Sequence, residues 1–293
     1  MTTRRFDLQA HSTRSDGTLS PSDVVAAAAA SGVQLLALTD HDTIAGVAEA
    51  ITAGKRLGVA VVPAIEVSAV DDRGRTPREL HVLGYLIDHE QRAFSEQLQR
   101  FLADREQRTL RMRDALREVG FELDEQPLAQ RIASGAPIGR PHLAEAVLKA
   151  DANAERLKRE GIADIGALIK AYLIEGRPAF RMRETPTVAE AIEAIHSAHG
   201  LAVWAHPFWD LSTEQEALEI LDRFATEGLD GVEAFYITHT ERQTRLLYQR
   251  CEQRSLLSTG SADFHGPGNE LFHEFMAFET YDLTPRLGPI ATP

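Results

Sequence analysis

A single cysteine, Cys251, stands in 293 residues. That excludes an intramolecular disulfide framework and any zinc site built from several thiolates, and it suits a reducing compartment. Positive charge is also in short supply: 31 Lys and Arg face 44 Asp and Glu, for a net charge of -13. This balance argues against a broad duplex-binding surface, which relies on clustered basic residues set against phosphate. It leaves room for a phosphate ligand held by cations, because the local charge of a site outweighs the total. Long apolar runs are missing as well. The longest such stretch, Val24 to Leu38, is broken by Ser31, Gly32 and Gln34 and is too short to span a bilayer. Arg4, Arg5 and Asp7 lead into polar sequence, unlike the apolar core of a leader peptide. A cytoplasmic protein with no membrane surface and no duplex DNA as partner is the expectation.

What is present is alternation. "SPSDVVAAAAASG" reads as a helix with Ser20 as N-cap, Pro21 at its first position and Gly32 as its stop. "VQLLALTDHD" comes next as a short apolar strand, then "TIAGVAEAITAGKRLG" as a helix, "VAVVPAIEVS" as a third strand and "ELHVLGYLI" as a fourth. After residue 184 the alternation resumes, with "LAVWAHP", "LDGVEAFY" and "LLSTGSADFHG" as strands between helical segments. Apolar strands alternating with helices predict an α/β fold, a parallel sheet of seven strands, closed or nearly closed. Between residues 89 and 184 the pattern is charged helix, including one long helix from Gln91 to Val119. The expected division is therefore a barrel of residues 1–88 and 185–293 carrying a helical insertion of residues 89–184.

In β/α barrels functional groups gather at the C-terminal ends of the strands. Here those ends carry Gln9, His11 and Asp16, then Asp40, His41 and Asp42 of "TDHD", then Glu66, His206, and Asp263 with His265. Asp7, Gln9 and His11 alternate, so on an extended backbone they share a face. His81 breaks the rule, because it falls near the start of its strand. Any one histidine here also reads as a hydrogen-bonded structural residue, and Asp16 or Asp40 as a turn or cap. Gathered at one barrel mouth, however, these carboxylates and imidazoles need cations among them to offset their buried polarity. Such ligands without thiols suit Mn, Fe or Zn, and clusters of this kind activate water for hydrolysis.

The motifs "DLQAHSTRSDGTLSP", "LLALTDHDTIAG", "PAIEVS", "HVLGY", "GRPHLA", "AVWAHP" and "GSADFHG" occur in the order seen in the PHP (polymerase and histidinol phosphatase) superfamily. The chain resembles its stand-alone metal-dependent phosphoesterases over nearly its whole length. That resemblance implies a distorted seven-stranded (β/α) barrel with a helical insertion after the fourth strand, and two to three divalent metal ions. One metal site would use position 9 with His11, Glu66 and Asp263, and a second would use Glu66 with His81 and His206. A third would use Asp16, His41 and His265. Asp263 and His206 would serve catalysis, and Arg140, His142, Ser12 and Asp42 would bind substrate. The implied chemistry is hydrolysis of a phosphomonoester by a hydroxide carried on metal, on a nucleotide, a nucleoside bisphosphate or the 5′ end of short single-stranded RNA.

One position departs from the family pattern: Gln9 stands where its opening motif has histidine. A carboxamide oxygen binds hard cations but is a poor ligand for zinc. Arg140 suits phosphate through its bidentate fork, yet Arg140 and His142 also read as a surface arginine and a capping histidine. The arginines of the long helix (100, 105, 108, 111, 113, 117) read as a solvated, salt-bridged face or, in part, as the lining of an RNA channel. Alternatives to a nucleotide-directed phosphoesterase are a histidinol-phosphatase-like enzyme and a non-catalytic metal- or nucleotide-binding protein weakened at Gln9.

Overall fold

The computed structural model describes residues 5–74, 77–133, 138–182 and 185–293. It divides into two compact units, one formed by Met1–Leu98 with Pro186–Pro293 and the other by Gln99–Thr185. The first unit holds a seven-stranded sheet: β1 (Phe6–Asp7), β2 (Leu35–Leu38), β3 (Ala60–Asp71), β4 (Arg78–Tyr85), β5 (Leu201–Trp204), β6 (Gly231–Tyr236) and β7 (Leu257–Ser261). The strands lie in chain order across the sheet. Its ends meet where the Leu8 N–H donates to Gly260 C=O at 3.2 Å and the His11 N–H to Phe264 C=O at 2.7 Å. The result is a nearly closed, distorted barrel.

The wholly parallel sheet expected from the alternation is corrected at one strand. β4 runs antiparallel to both β3 and β5, while the other neighbouring pairs are parallel. The cause is the short connection, residues 72–77: a parallel crossover needs about a dozen residues or more, so the chain can only turn back. β3 also runs on past Glu66 to Asp71, further than its apolar run suggested, because its far half pairs with β4. The reversal explains the anomalous His81. The start of β4 lies at the barrel end where its parallel neighbours finish, and His81 pairs with Ser68, two residues beyond Glu66.

The strands bury both faces, as their near-continuous apolar runs require. Leu35 and Ala37 of β2 point into the barrel with Leu8, Val62, Leu83 and Val203. Leu36 and Leu38 point outward onto Val24, Val25, Ala28, Ala50 and Ala53 of the helices Pro21–Ala30 and Val47–Leu57. Each fully buried Leu contributes about 1.5–3 kcal/mol over its exposed state. Ser20 caps the first of these helices by accepting the Asp23 N–H, and Thr187 with Glu190 forms a capping box on Val188–Ser197.

The long helix runs Arg92–Glu118. In the second unit its apolar residues Met112 and Leu116 pack with Phe121, Leu143, Val147 and Leu157. Its arginines do not form a single solvated face. Arg113 and Arg117 do pair with exposed Asp114, at 2.9 and 3.2 Å. Arg105 and Arg108 are buried, and Arg108 Nε donates to Arg181 C=O at 2.7 Å while its guanidinium lies 5.5 Å from the Phe180 ring centre. A guanidinium that meets a backbone carbonyl and an aromatic ring can lie out of solvent, which charge counting along a helix does not reveal. Among the described residues, no helix is long and apolar enough to cross a membrane.

Candidate metal centre

Glu66 is the hub. It is fully buried within β3, and histidines from separate segments of the barrel approach its two oxygens. Oε1 lies 2.6 Å from His81 Nδ1 and 3.3 Å from His206 Nε2. Oε2 lies 3.1 Å from His11 Nε2 and 3.6 Å from His41 Nδ1. His11 Nε2 is also 3.0 Å from Asp263 Oδ1. Asp16 then lies 3.6 Å from His11, 3.7 Å from His41 and 3.6 Å from His265. The rings form a continuous wall, with centroids at 4.2 Å for His11 and His265, 4.6 Å for His11 and His41, and 4.9 Å for His41 and His81.

Among the described residues, three groups have ligand atoms close enough to share one ion: His11, Glu66 and Asp263; His41, Glu66 and His81; and His11, Asp16, His41 and His265. Several side-chain atoms of these groups are buried without a hydrogen bond, namely His11 Nδ1 and Nε2, His81 Nδ1 and Asp263 Oδ1, and so is Nδ1 of the neighbouring His206. They lie 2.6–3.7 Å from their ion-pair partners without forming a hydrogen bond. Buried polar atoms are costly in that state, and cations between them remove the cost. The donor set therefore fits divalent metal. It would be held by these three groups, with His206 added beside Glu66.

The electrostatics point the same way. Burial alone would raise Glu66, yet the His41 and His81 rings hold it well below the ordinary carboxylate range. Burial also opposes ionisation of Asp263, but His265 and His11 keep it down at about 2. Burial drives His41 down to about 3, so its ring is a neutral donor. Against burial, the neighbouring carboxylates hold His11 and His206 well above the ordinary imidazole range, so without a cation these two rings keep a proton as counter-charge, which an incoming metal ion would replace.

Local devices place these groups. Asp40 is buried and accepts the Ser12 N–H, the Ser12 hydroxyl and the Ser15 hydroxyl, each at 2.7 Å. It therefore orders the loop that carries Asp16. Gly17 closes that loop so tightly that a Cβ would overlap the His11 carbonyl. Ser12 is thus engaged with Asp40, and Asp42 accepts the Ser68 N–H at 2.9 Å. Asp42, His206 and Asp263 have φ of 55°, 28° and 55°, a left-handed backbone that non-glycine residues hold only when their surroundings enforce it.

Gln9 is fully buried among them. Its Nε2 donates to Glu66 Oε2 at 3.0 Å, and its Oε1 accepts from the Ser261 hydroxyl at 3.3 Å. Three contributors escaped the sequence reading. Glu233, in the middle of β6, accepts the His206 N–H at 3.0 Å and lies 2.5 Å from the Ser261 hydroxyl, and burial pushes its carboxyl up to about 8. Tyr236 donates to Asp263 Oδ2 at 2.9 Å. Asp210 stands 3.7 Å from His206 Nδ1. The one available signal was an acid inside an otherwise apolar strand, "GVEAFY".

Arg140 and His142 belong to the second unit, at the start of the helix Arg140–Lys149. His142 Nδ1 accepts the Gly139 N–H at 3.1 Å, a capping arrangement.

A nearly closed barrel whose strand ends converge on such a cluster offers the ligands that a metal-dependent hydrolase needs. The family model for the PHP domain matches residues 7–159. The 5′-3′ exoribonuclease of Haemophilus influenzae is 32% identical over 90% of this chain and 91% of its own length. The 3′,5′-nucleoside bisphosphate phosphatase of Chromobacterium violaceum is 29% identical over 97% of this chain and 94% of its own. A crystal structure from Bifidobacterium adolescentis, described as a candidate metal-dependent phosphoesterase, is similar with a TM-score of 0.74 and 27% identity, over 94% of this chain and 92% of that one. The chain belongs to the PHP domain family. It is a metal-dependent phosphoric ester hydrolase.

Proposed function

We propose that this enzyme hydrolyses a phosphomonoester of a nucleotide, a nucleoside bisphosphate or the 5′ end of a short RNA. One observation carries the reading: buried Glu66 is shared between two of the three ligand groups, so it would help to hold two neighbouring cations. Neighbouring cations match the needs of phosphoryl transfer, in which charge on several oxygens must be offset together. The substrate class rests on two relatives, one named for nucleoside bisphosphates and the other for RNA.

We assign two to three divalent ions, Mn, Fe or Zn, to these groups: His11, Glu66 and Asp263 beside Gln9; Glu66, His81 and His206; and Asp16, His41 and His265. When bound they lower the pKa of water and neutralise the phosphoryl oxygens. Asp263 and His206 act at the reacting atoms. Tyr236 fixes Asp263 through Oδ2, which leaves Oδ1 toward the cluster, where it can accept a hydrogen bond that orients the attacking water. Arg140 binds the substrate phosphate, with His142 beside it at the helix start. Ser12 and Asp42 bind substrate from the ligand-bearing loops, which they also order through Asp40 and the Ser68 N–H.

The test is phosphate release from adenosine 3′,5′-bisphosphate, AMP, a 5′-phosphorylated short RNA and histidinol phosphate, before and after chelation. Faster release from the nucleotide esters, lost on chelation and restored by Mn, is the expected result. Preference for histidinol phosphate, or activity indifferent to chelator, contradicts the reading.

A further inference from the structure

Two aromatic side chains at the mouth have no role in the metal centre. Trp209 lies just after His206 on the short turn Pro207–Asp210, and its N–H donates to the His206 carbonyl at 2.9 Å. Its indole is 52% exposed, an unusual state for the largest apolar side chain. It meets the Phe272 ring edge-on, with centroids 5.5 Å apart at 61°. Phe272 in turn is tied to the other side of the centre. Its carbonyl accepts the His265 N–H at 2.9 Å, and its ring lies 5.4 Å from that of His265 and 6.3 Å from that of Tyr236. Asn269 Oδ1 accepts the N–H groups of Leu271 and Phe272, each at 3.0 Å, which holds this turn in place.

Two rings are thus fixed through single backbone hydrogen bonds to two ligand residues, and the outer one stays open to solvent. We propose that Trp209, backed by Phe272, is the platform on which the substrate's nucleobase stacks while its phosphate lies at the centre. The inference rests on the proposed nucleotide substrate. Stacking suits this surface because every base offers a π-face. A protein partner seated on Trp209 would instead cover the entrance to the centre.

The chain has two tryptophans, and the other, Trp204, is fully buried against Phe224. Quenching of intrinsic fluorescence by a ligand therefore reports on Trp209. The probes are adenosine 3′,5′-bisphosphate and ribose 5-phosphate, with the full chain loaded with Mn. Saturable quenching by the first and not the second is expected. Trp209→Ala should lower the kcat/KM ratio of the first over the second by about tenfold or more, chiefly through KM, and Trp209→Phe should retain most of it. Absence of quenching, an unchanged ratio in Trp209→Ala, or quenching that tracks self-association overturns the platform. If the wild-type enzyme hydrolyses neither ester, the nucleotide reading fails, and the quenching arm still decides the platform.

Discussion

The amide nitrogen of Gln9 and the Nε2 of His11 meet the same atom, Glu66 Oε2, at 3.0 and 3.1 Å. Positions 9 and 11 thus converge on one oxygen, as two side chains on the same face of an extended segment should. The difference is chemical. Gln9 donates an N–H to the carboxylate and takes up a lone pair that a cation would otherwise use, while a neutral imidazole would offer a lone pair of its own.

Gln9→His should therefore tighten the ion held with His11, Glu66 and Asp263. Calorimetric titration of the metal-free protein with Mn is expected to show a gain of about tenfold or more for that ion, the scale on which one ligand matters. Activity at limiting metal should rise with it. Equal affinity and equal activity in the two forms would make the Gln9–Ser261 arrangement a competent version of the site.

Arg140→Ala separates phosphate binding from metal binding. A charge-assisted contact to phosphate contributes about 1.5–3 kcal/mol, so KM for a good substrate should rise about tenfold or more while metal content stays the same. Unchanged kinetics would leave Arg140 as a surface residue beside the capping His142.

Much of the centre was legible because strand ends carry barrel function. Asp16, His41 and Asp263 could be found by inspecting the polar residues at the end of each apolar run. The direction of β4 was not legible, since apolar patterning is blind to strand polarity and only the shortness of residues 72–77 bears on it. Asp40 read as a turn or cap residue, but the three loop hydrogen bonds that it accepts come from Ser12 and Ser15, more than twenty positions away, and pattern along one strand does not reveal them. Glu233 was missed for the opposite reason: its partners, Ser261 and the His206 N–H, come from distant segments. The burial of Arg105 and Arg108 depends on tertiary partners such as Phe180, which helical periodicity does not contain.

Metal content tests most directly whether the ligand groups around Glu66 hold cations. Elemental analysis of protein purified from Mn-, Fe- and Zn-supplemented growth, beside Glu66→Gln, should find at least two divalent ions per chain in the wild type. The variant should retain markedly less, because Glu66 belongs to two of the three groups. Less than one ion per chain in the wild type, or the same content in both proteins, would contradict the account.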